Sequence, residues 1–258
     1  MKILVCIKQV PDSETRVEID ARDGRIRIDQ EAKHWMNHAD EFAVEEAVRI
    51  KETLPDTVID VLTVGPERAA QVLERAMGMG ANQAFHLLAP EADYRSPFVT
   101  ASWIGAVAAD RGYDLILAGV MAQDDMQAQV GPILAELLGR PCATSVIFVE
   151  IRPEQGAVYV EREVEGGRRH MLELDLPAVL TIQTGINKPR YPTLSNLLRA
   201  KKQKATVLDA STLPPVSGRE RLVAADYPRR SRAGQFLEGD RAEKADHLLR
   251  ILREKAFL

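Results

Sequence analysis

Apolar residues fall along the first half of the chain in two alternating rhythms. Short, largely β-branched runs at 3–8, 57–64, 84–87 and 115–118 read as buried strands, because a strand covered by helices on both faces needs no polar side. Between them, apolar residues spaced three and four apart read as helices. Residues 39–52 (ADEFAVEEAVRIKE) are the clearest case: Phe42, Val44, Ala47, Val48 and Ile50 recur at helical spacing, with acids early and bases late, as the helix dipole favours. Further helices are predicted over 66–77 with Pro66 near the start, over 97–111, and from about 128 to 138 with Gly139 closing it. Strand and helix taking turns at these lengths predict an α/β fold, an open, mostly parallel, doubly wound sheet with helices on both faces.

Two regions break the rhythm. Residues 16–29 alternate apolar and polar on both sides of Asp23 and Gly24, the form of an antiparallel hairpin. Residues 145–151, 157–164, 170–174 and 178–183 all read as strands, with turns at Gln155, Gly156 and at Gly166, Gly167. From about residue 185 the chain carries Pro189, Pro192 and a basic cluster, then Pro214, Pro215 and a last helical stretch at 241–255. This reads as an extended C-terminal arm, so the expected division is an α/β domain over 1–208 and an arm with a helix over 209–258.

Composition narrows the function classes. A chain of 258 residues with 45% hydrophobic and 28% charged residues is long enough for a large core. With 34 basic against 38 acidic residues the net charge is -4, which gives no global positive field for nucleic acid. The two cysteines, Cys6 and Cys142, form no CxxC or metal-spaced cluster, which fits a reducing compartment. The apolar run at 3–7 is too short for a signal segment, and no stretch approaches the ~20 apolar residues of a membrane span, so a cytoplasmic protein is expected. An organelle precursor that has lost its targeting segment would read the same way.

The familiar catalytic motifs are missing: no GxxxxGK[ST], HExxH, GxSxG or strand-to-helix GxGxxG occurs. The Gly78, Met79, Gly80 stretch closes a helix and reads as a C-cap. His34 and His38 stand four apart, but the intervening residues read as a loop and no third ligand is near. Asp124 and Asp125 are adjacent, which does not let two carboxylates converge on one scissile bond without an unusual turn. The informative signal is positional. Open parallel sheets bind ligands beyond the carboxyl ends of strands where the strand order reverses, and three segments should meet there: Cys6 to Lys8, Val64 to Pro66, and the loop 119–131 that enters a helix. Backbone N–H groups at that helix start could hold a phosphate without a lysine; an ordinary βα loop with Asp caps is the alternative.

Five separated segments carry a resemblance: ILVCIKQVPD, MNHADEFAVEEAVRIKE, LILAGVMAQDDMQAQVGPILAELLG, VEREVEGGRRHMLELDLPAVLTI and INKPRYPTLSNLLRAKKQK. In order and spacing, over about residues 1–205, the chain resembles the β subunit of electron transfer flavoprotein. The resemblance implies a heterodimer with an α subunit that holds the redox-active FAD, and a carrier without substrate chemistry rather than an enzyme. It implies an adenine nucleotide in this chain's crevice, AMP in simple carriers and a second FAD in electron-bifurcating ones. The implied cofactor contacts are Cys6, Asn37, His38, Ala39, Asp40 and Val64. They continue through Ala122, Gln123, Asp124, Asp125, Met126 and Gln127, then Ala128, Gln129, Val130, Gly131, Pro132 and Ile133. Residues 189–204 match the family's recognition loop, in which Leu194, flanked by Arg199, Lys201, Lys202 and Lys204, would dock an acyl-CoA dehydrogenase; a membrane quinone oxidoreductase would accept the electrons.

The chain departs from the family pattern at His38 in place of proline, at Val120 and Met121 in place of Lys-Gln, and at Gln127 to Val130. Asp40 and the QVGP stretch are closer to members that take the larger flavin. Arg168, Arg169 and His170 replace an expected acid or amide. The C-terminal arm, with Arg230 and Arg232, is expected to wrap the partner. Rival readings are a stand-alone nucleotide-sensing module and a magnesium-dependent enzyme built on Asp124 and Asp125.

Overall fold

The first strand, β1 (Lys2–Cys6), is buried from Ile3 onward, as its unbroken apolar run predicts. The computed structural model describes residues 1–20, 22, 24–29, 31–90, 94–227, 234, 236–255 and 257. After β1 come β2 (Gln9–Pro11), β3 (Val17–Ile19), β4 (Ile26–Ile28), β5 (His34–Met36) and helix α1 (His38–Thr53). β3 and β4 pair antiparallel, Val17 opposite Ile28, so the predicted hairpin is present; Asp23, expected in its turn, lies outside the described residues. Then β6 (Val58–Gly65), α2 (Ala70–Met79), β7 (Gln83–Leu88), α3 (Pro97–Ala108), β8 (Leu115–Gly119) and α4 (Val130–Leu138) alternate as expected. α2 ends on Gly80 at φ 139°, which confirms the Gly78, Met79, Gly80 stretch as a helix end. β9 (Cys142–Arg152), β10 (Ala157–Val164), β11 (Arg168–Asp175), β12 (Ala178–Ile182), α5 (Leu194–Lys202), β13 (Thr206–Asp209) and α6 (Arg241–Glu254) complete the described elements.

Among the described residues, nine strands form one sheet in the order β11-β10-β9-β12-β8-β1-β6-β7-β13. The strands from β9 to β13 in that order are parallel neighbours, and β10 and β11 extend one edge antiparallel. Period-two alternation splits the core: Ile3, Val5 and Ile7 join a cluster with α1 and α2, while Leu4 and Cys6 join one with α3 and α4. The result is the expected open α/β fold with helices on both faces of the sheet. No described helix is long and apolar enough to cross a membrane.

Three details differ from expectation. α4 starts at Val130, not near 128, because Ala128 adopts φ 54° and cannot belong to a right-handed helix. Residues 194–202 are helix rather than extended arm: both prolines precede it, and Thr193 Oγ1 caps it by accepting from Asn196 N at 3.2 Å. Residues 206–209 add β13 to the sheet edge, Thr206 opposite Phe85. The described chain falls into two units, Met1–Ala225 and Asp226–Leu258. The second holds α6, which a capping box starts: Asp240 accepts from Glu243 N at 2.9 Å and Glu243 accepts from Asp240 N at 2.9 Å. Arg230 and Arg232 lie outside the described residues.

Candidate functional site

β1 lies between β6 and β8. The chain runs from β1 outward through β6 and β7, then returns to β8 on the other side of β1, so the strand order reverses between β1 and β8. Ligands of open α/β sheets sit beyond the strand carboxyl ends at such a reversal. Cys6 is level with Ala118, so Lys8 and Gly119 leave the sheet close together.

The start of α1 fills the gap between them. Asn37 is 1% exposed and does not cap its own helix; its Nδ2 donates to Met121 O at 2.9 Å and its Oδ1 accepts from Gln123 N at 3.0 Å. Asp40 accepts from Lys8 N at 2.7 Å through one carboxylate oxygen and from Gly119 N at 2.9 Å through the other. One helical turn therefore ties the ends of β1 and β8 and the loop after β8 into a single floor. His38 adds a backbone bond to Gln123 Oε1 at 3.1 Å while its ring stays exposed. Burial pushes the Asp40 carboxyl up to about 7, against the pull of its Lys8, Asn37 and Gly119 neighbours. Burial, with help from Asp40, pushes the Cys6 thiol up to about 12, so Cys6 is a small apolar wall rather than a nucleophile.

The loop after β8 is shaped by charge. Lys8 Nζ lies 2.6 Å from Asp124 Oδ1 and 2.9 Å from Asp125 Oδ2, so both adjacent carboxylates converge on one ammonium. Burial of Lys8 opposes its charge, but the two aspartates outweigh it and raise its pKa. Met126 and Ala128 follow at φ 52° and φ 54°. Left-handed backbone costs a non-glycine residue roughly 1 kcal/mol, so the loop is held in this shape by its surroundings. It delivers the chain to α4, whose N-terminus, like those of α1 and α2, has no side-chain cap, whereas α3, α5 and α6 have Ser96, Thr193 and Asp240. Val130 and Gly131 bring backbone N–H groups to that helix start, and Pro132 brings none. Gly131 is needed for close packing: a Cβ there would stand 2.4 Å from Thr181 Cγ2 on β12. An uncapped helix N-terminus beside a strand-order reversal suits a phosphate or other anion.

The other predicted residues are placed less directly. Val64 is the penultimate residue of β6, one strand away, half-buried against the α3 and α4 side of the core, and Gln9 Nε2 bonds Arg68 O at 3.0 Å to link that end to the chain after β1. Ala39 is buried beneath Gly119; Ala122 and Gln127 are half-buried, and Gln129 is exposed. His34 lies on β5 and His38 opens α1, so they share no helix face. Among the described residues, no cluster of three or more His, Cys, Asp or Glu could hold a metal ion.

The predicted docking segment forms a second feature. Leu194 is 74% exposed and Leu198 is 54% exposed on the outer face of α5, with Tyr191 just before them and Arg199, Lys201, Lys202 and Lys204 all exposed. Leu197 and Pro192 turn inward against Gly78 of α2, each 3.0 Å from where a Cβ would stand. Leu194 is thus a surface residue, not a core leucine beside a solvated face. Sequence reading missed the Lys8 clamp and the hydrogen bonds from Arg190, just upstream of α5, to Glu45 and Glu52 of α1. Lys8 and its aspartates are over a hundred residues apart, and no local spacing signals them.

Comparison with known proteins identifies the family. An electron transfer flavoprotein domain matches residues 26–213. The chain is 35% identical over 266 residues to the electron transfer flavoprotein subunit beta of Bacillus subtilis, covering 99% of both chains. It is 32% identical to that of Methylophilus methylotrophus, covering 98% of each, and 33% identical to that of Sus scrofa, covering 98% of this chain and 97% of the relative. With a matching domain over most of its length and near full-length relatives of one kind, this chain belongs to the electron transfer flavoprotein β-subunit family.

Proposed function

We infer that this chain is the β subunit of a heterodimeric electron carrier, holding an adenine nucleotide in the β1/β8 crevice and presenting α5 to a flavin-dependent dehydrogenase of the acyl-CoA class. The α subunit carries the FAD that exchanges electrons, and a membrane quinone oxidoreductase takes them onward. The compartment proposed is the cytoplasm. The observation that carries the reading is the floor built by Asn37 and Asp40 at the strand-order reversal, opening onto the uncapped start of α4. AMP is the occupant proposed, seated with its phosphate at Val130 and Gly131.

The chain's own part in electron transfer is positional. It holds the nucleotide as a staple, offers a rigid platform to the partner subunit, and docks the dehydrogenase so that two redox centres come close. No nucleophile or general base is required. At the docking surface, one exposed leucine supplies contact energy and the cationic rim supplies salt-dependent steering. Replacing Leu194 by Ala is expected to raise the KM of a dehydrogenase for the heterodimer about tenfold, with kcat little changed, because a buried anchor of this size accounts for about 1.4 kcal/mol or more. Anaerobic reduction of the heterodimer by dehydrogenase and substrate, followed by flavin absorbance, measures both constants. An unchanged KM contradicts the docking role, and failure of the α subunit to bind this chain contradicts the function as a whole.

A further inference from the structure

We propose that Arg190 is the positioning residue of the docking surface: it fixes the chain at the point where it turns into α5 and thereby sets where Leu194 stands. This inference rests on the docking reading of α5.

The segment between β12 and α5 spans 183–193 and has no regular structure of its own. A nine-residue helix at its end is too short to be stable alone, so the helix takes its position from what holds it. On one side Leu197 packs on α2. On the other, Arg190 makes four hydrogen bonds to α1: its Nε and backbone N reach Glu45 Oε2 at 2.8 and 3.1 Å, its Nη2 reaches Glu45 Oε1 at 2.8 Å, and its Nη1 reaches Glu52 Oε1 at 2.8 Å. The pairing with Glu45 is a two-pronged fork, a geometry a lysine cannot reproduce. Glu45 is 4% exposed, so its charge depends on that fork for compensation. The hydrogen bonds to Glu45 and Glu52 hold Arg190 in its charged form and raise its pKa further. Asn187 seconds the clamp from the same segment, donating to Phe42 O at 3.0 Å and to Glu46 Oε2 at 2.9 Å.

The clamp stands four residues before Leu194 and is made to α1, the helix whose first turn builds the crevice floor. Arg190 is only partly exposed and its donors are spent on α1, so its contribution to docking goes through the placement of Leu194. A residue that acted only on global stability would not be coupled to Leu194 in particular.

The test is a double-mutant cycle in the intact heterodimer with Arg190→Lys and Leu194→Ala, reading KM and kcat for reduction by the dehydrogenase. Lysine keeps the charge beside Glu45 and avoids the buried unpaired carboxylate that Arg190→Ala leaves; thermal melting and flavin content verify that each variant is assembled. The expected result is a KM raised about fivefold by Arg190→Lys in the parent heterodimer, kcat unchanged, and no further rise when Arg190→Lys is added to Leu194→Ala. Glu52→Gln, at an exposed site, provides a milder break of the same clamp and should raise KM in the same direction by a smaller factor. If Leu194→Ala raises KM but Arg190→Lys does not, the positioning role is overturned and the docking reading stands. If the two effects multiply independently, the positioning role is also overturned. If Leu194→Ala itself leaves KM unchanged, the docking reading fails and this inference falls with it.

Discussion

Replacing Gly119 by alanine is expected to destabilise the protein by about 3 kcal/mol, more than any other single methyl group added near the crevice. A Cβ at this position would stand 2.4 Å from Asp40 Oδ1, 2.7 Å from Ala39 Cβ and 2.8 Å from the Ala39 carbonyl carbon. The last is backbone in the first turn of α1, so relief requires the helix to back away rather than a side chain to rotate. Moving α1 also breaks the Gly119 N to Asp40 bond and strains the Asn37 contacts to Met121 and Gln123. For a unit of this size such a loss lowers Tm by roughly 6–12 °C, measurable by calorimetry. The variant should also lose affinity for the proposed nucleotide, since the same turn forms the floor of the proposed site. A variant that melts with the parent shows that α1 and β8 are not packed as described.

Asp40→Ala is the second large effect, and its signature is in the pH dependence. Alanine leaves Lys8 N and Gly119 N without their acceptor, and each orphaned donor costs about 1–3 kcal/mol. The carboxyl titrates near 3.8 when unfolded and is pushed up to about 7 by burial in the fold. Between those values the unfolded chain has released a proton that the folded chain keeps. Stability from this group is therefore fully present below about 3.8, falls as the pH rises through the window, and is gone above about 7. Removing the carboxyl removes that slope, so the penalty of Asp40→Ala is largest below about pH 3.8, shrinks through the window and is smallest above about pH 7. Urea midpoints of parent and variant at several pH values measure it; a penalty that grows with pH reverses the assignment.

The alternation of strand and helix was legible because each buried strand is an unbroken apolar run and α1 repeats its apolar positions at helical spacing. The strand-order reversal was legible in outline, since a topological argument names the ends of strands without needing contacts. Its working parts were not. That Asn37 spends its side chain on Met121 and Gln123 rather than on capping its helix follows from how α1 meets the loop after β8, which no local pattern encodes. The late start of α4 depends on a left-handed alanine, and alanine carries no signal for that conformation. α5 was readable in principle from Leu194, Leu197 and Leu198 at helical spacing and Thr193 as cap, but Pro189 and Pro192 drew attention to an extended chain. The Arg190 clamp joins residues 145 positions apart and belongs to tertiary structure alone.

The central claim is that this chain holds one nucleotide in the β1/β8 crevice while its partner holds the redox flavin. Co-purifying the chain with its α subunit, denaturing the complex and quantifying released FAD and AMP per heterodimer tests it most directly. The account predicts one FAD and one AMP, with the AMP lost and the FAD retained in Gly131→Val, where a larger side chain drives the start of α4 away from Thr181. Two FAD and no AMP would replace AMP with a second flavin in this crevice, and a heterodimer that releases FAD alone would contradict the claim.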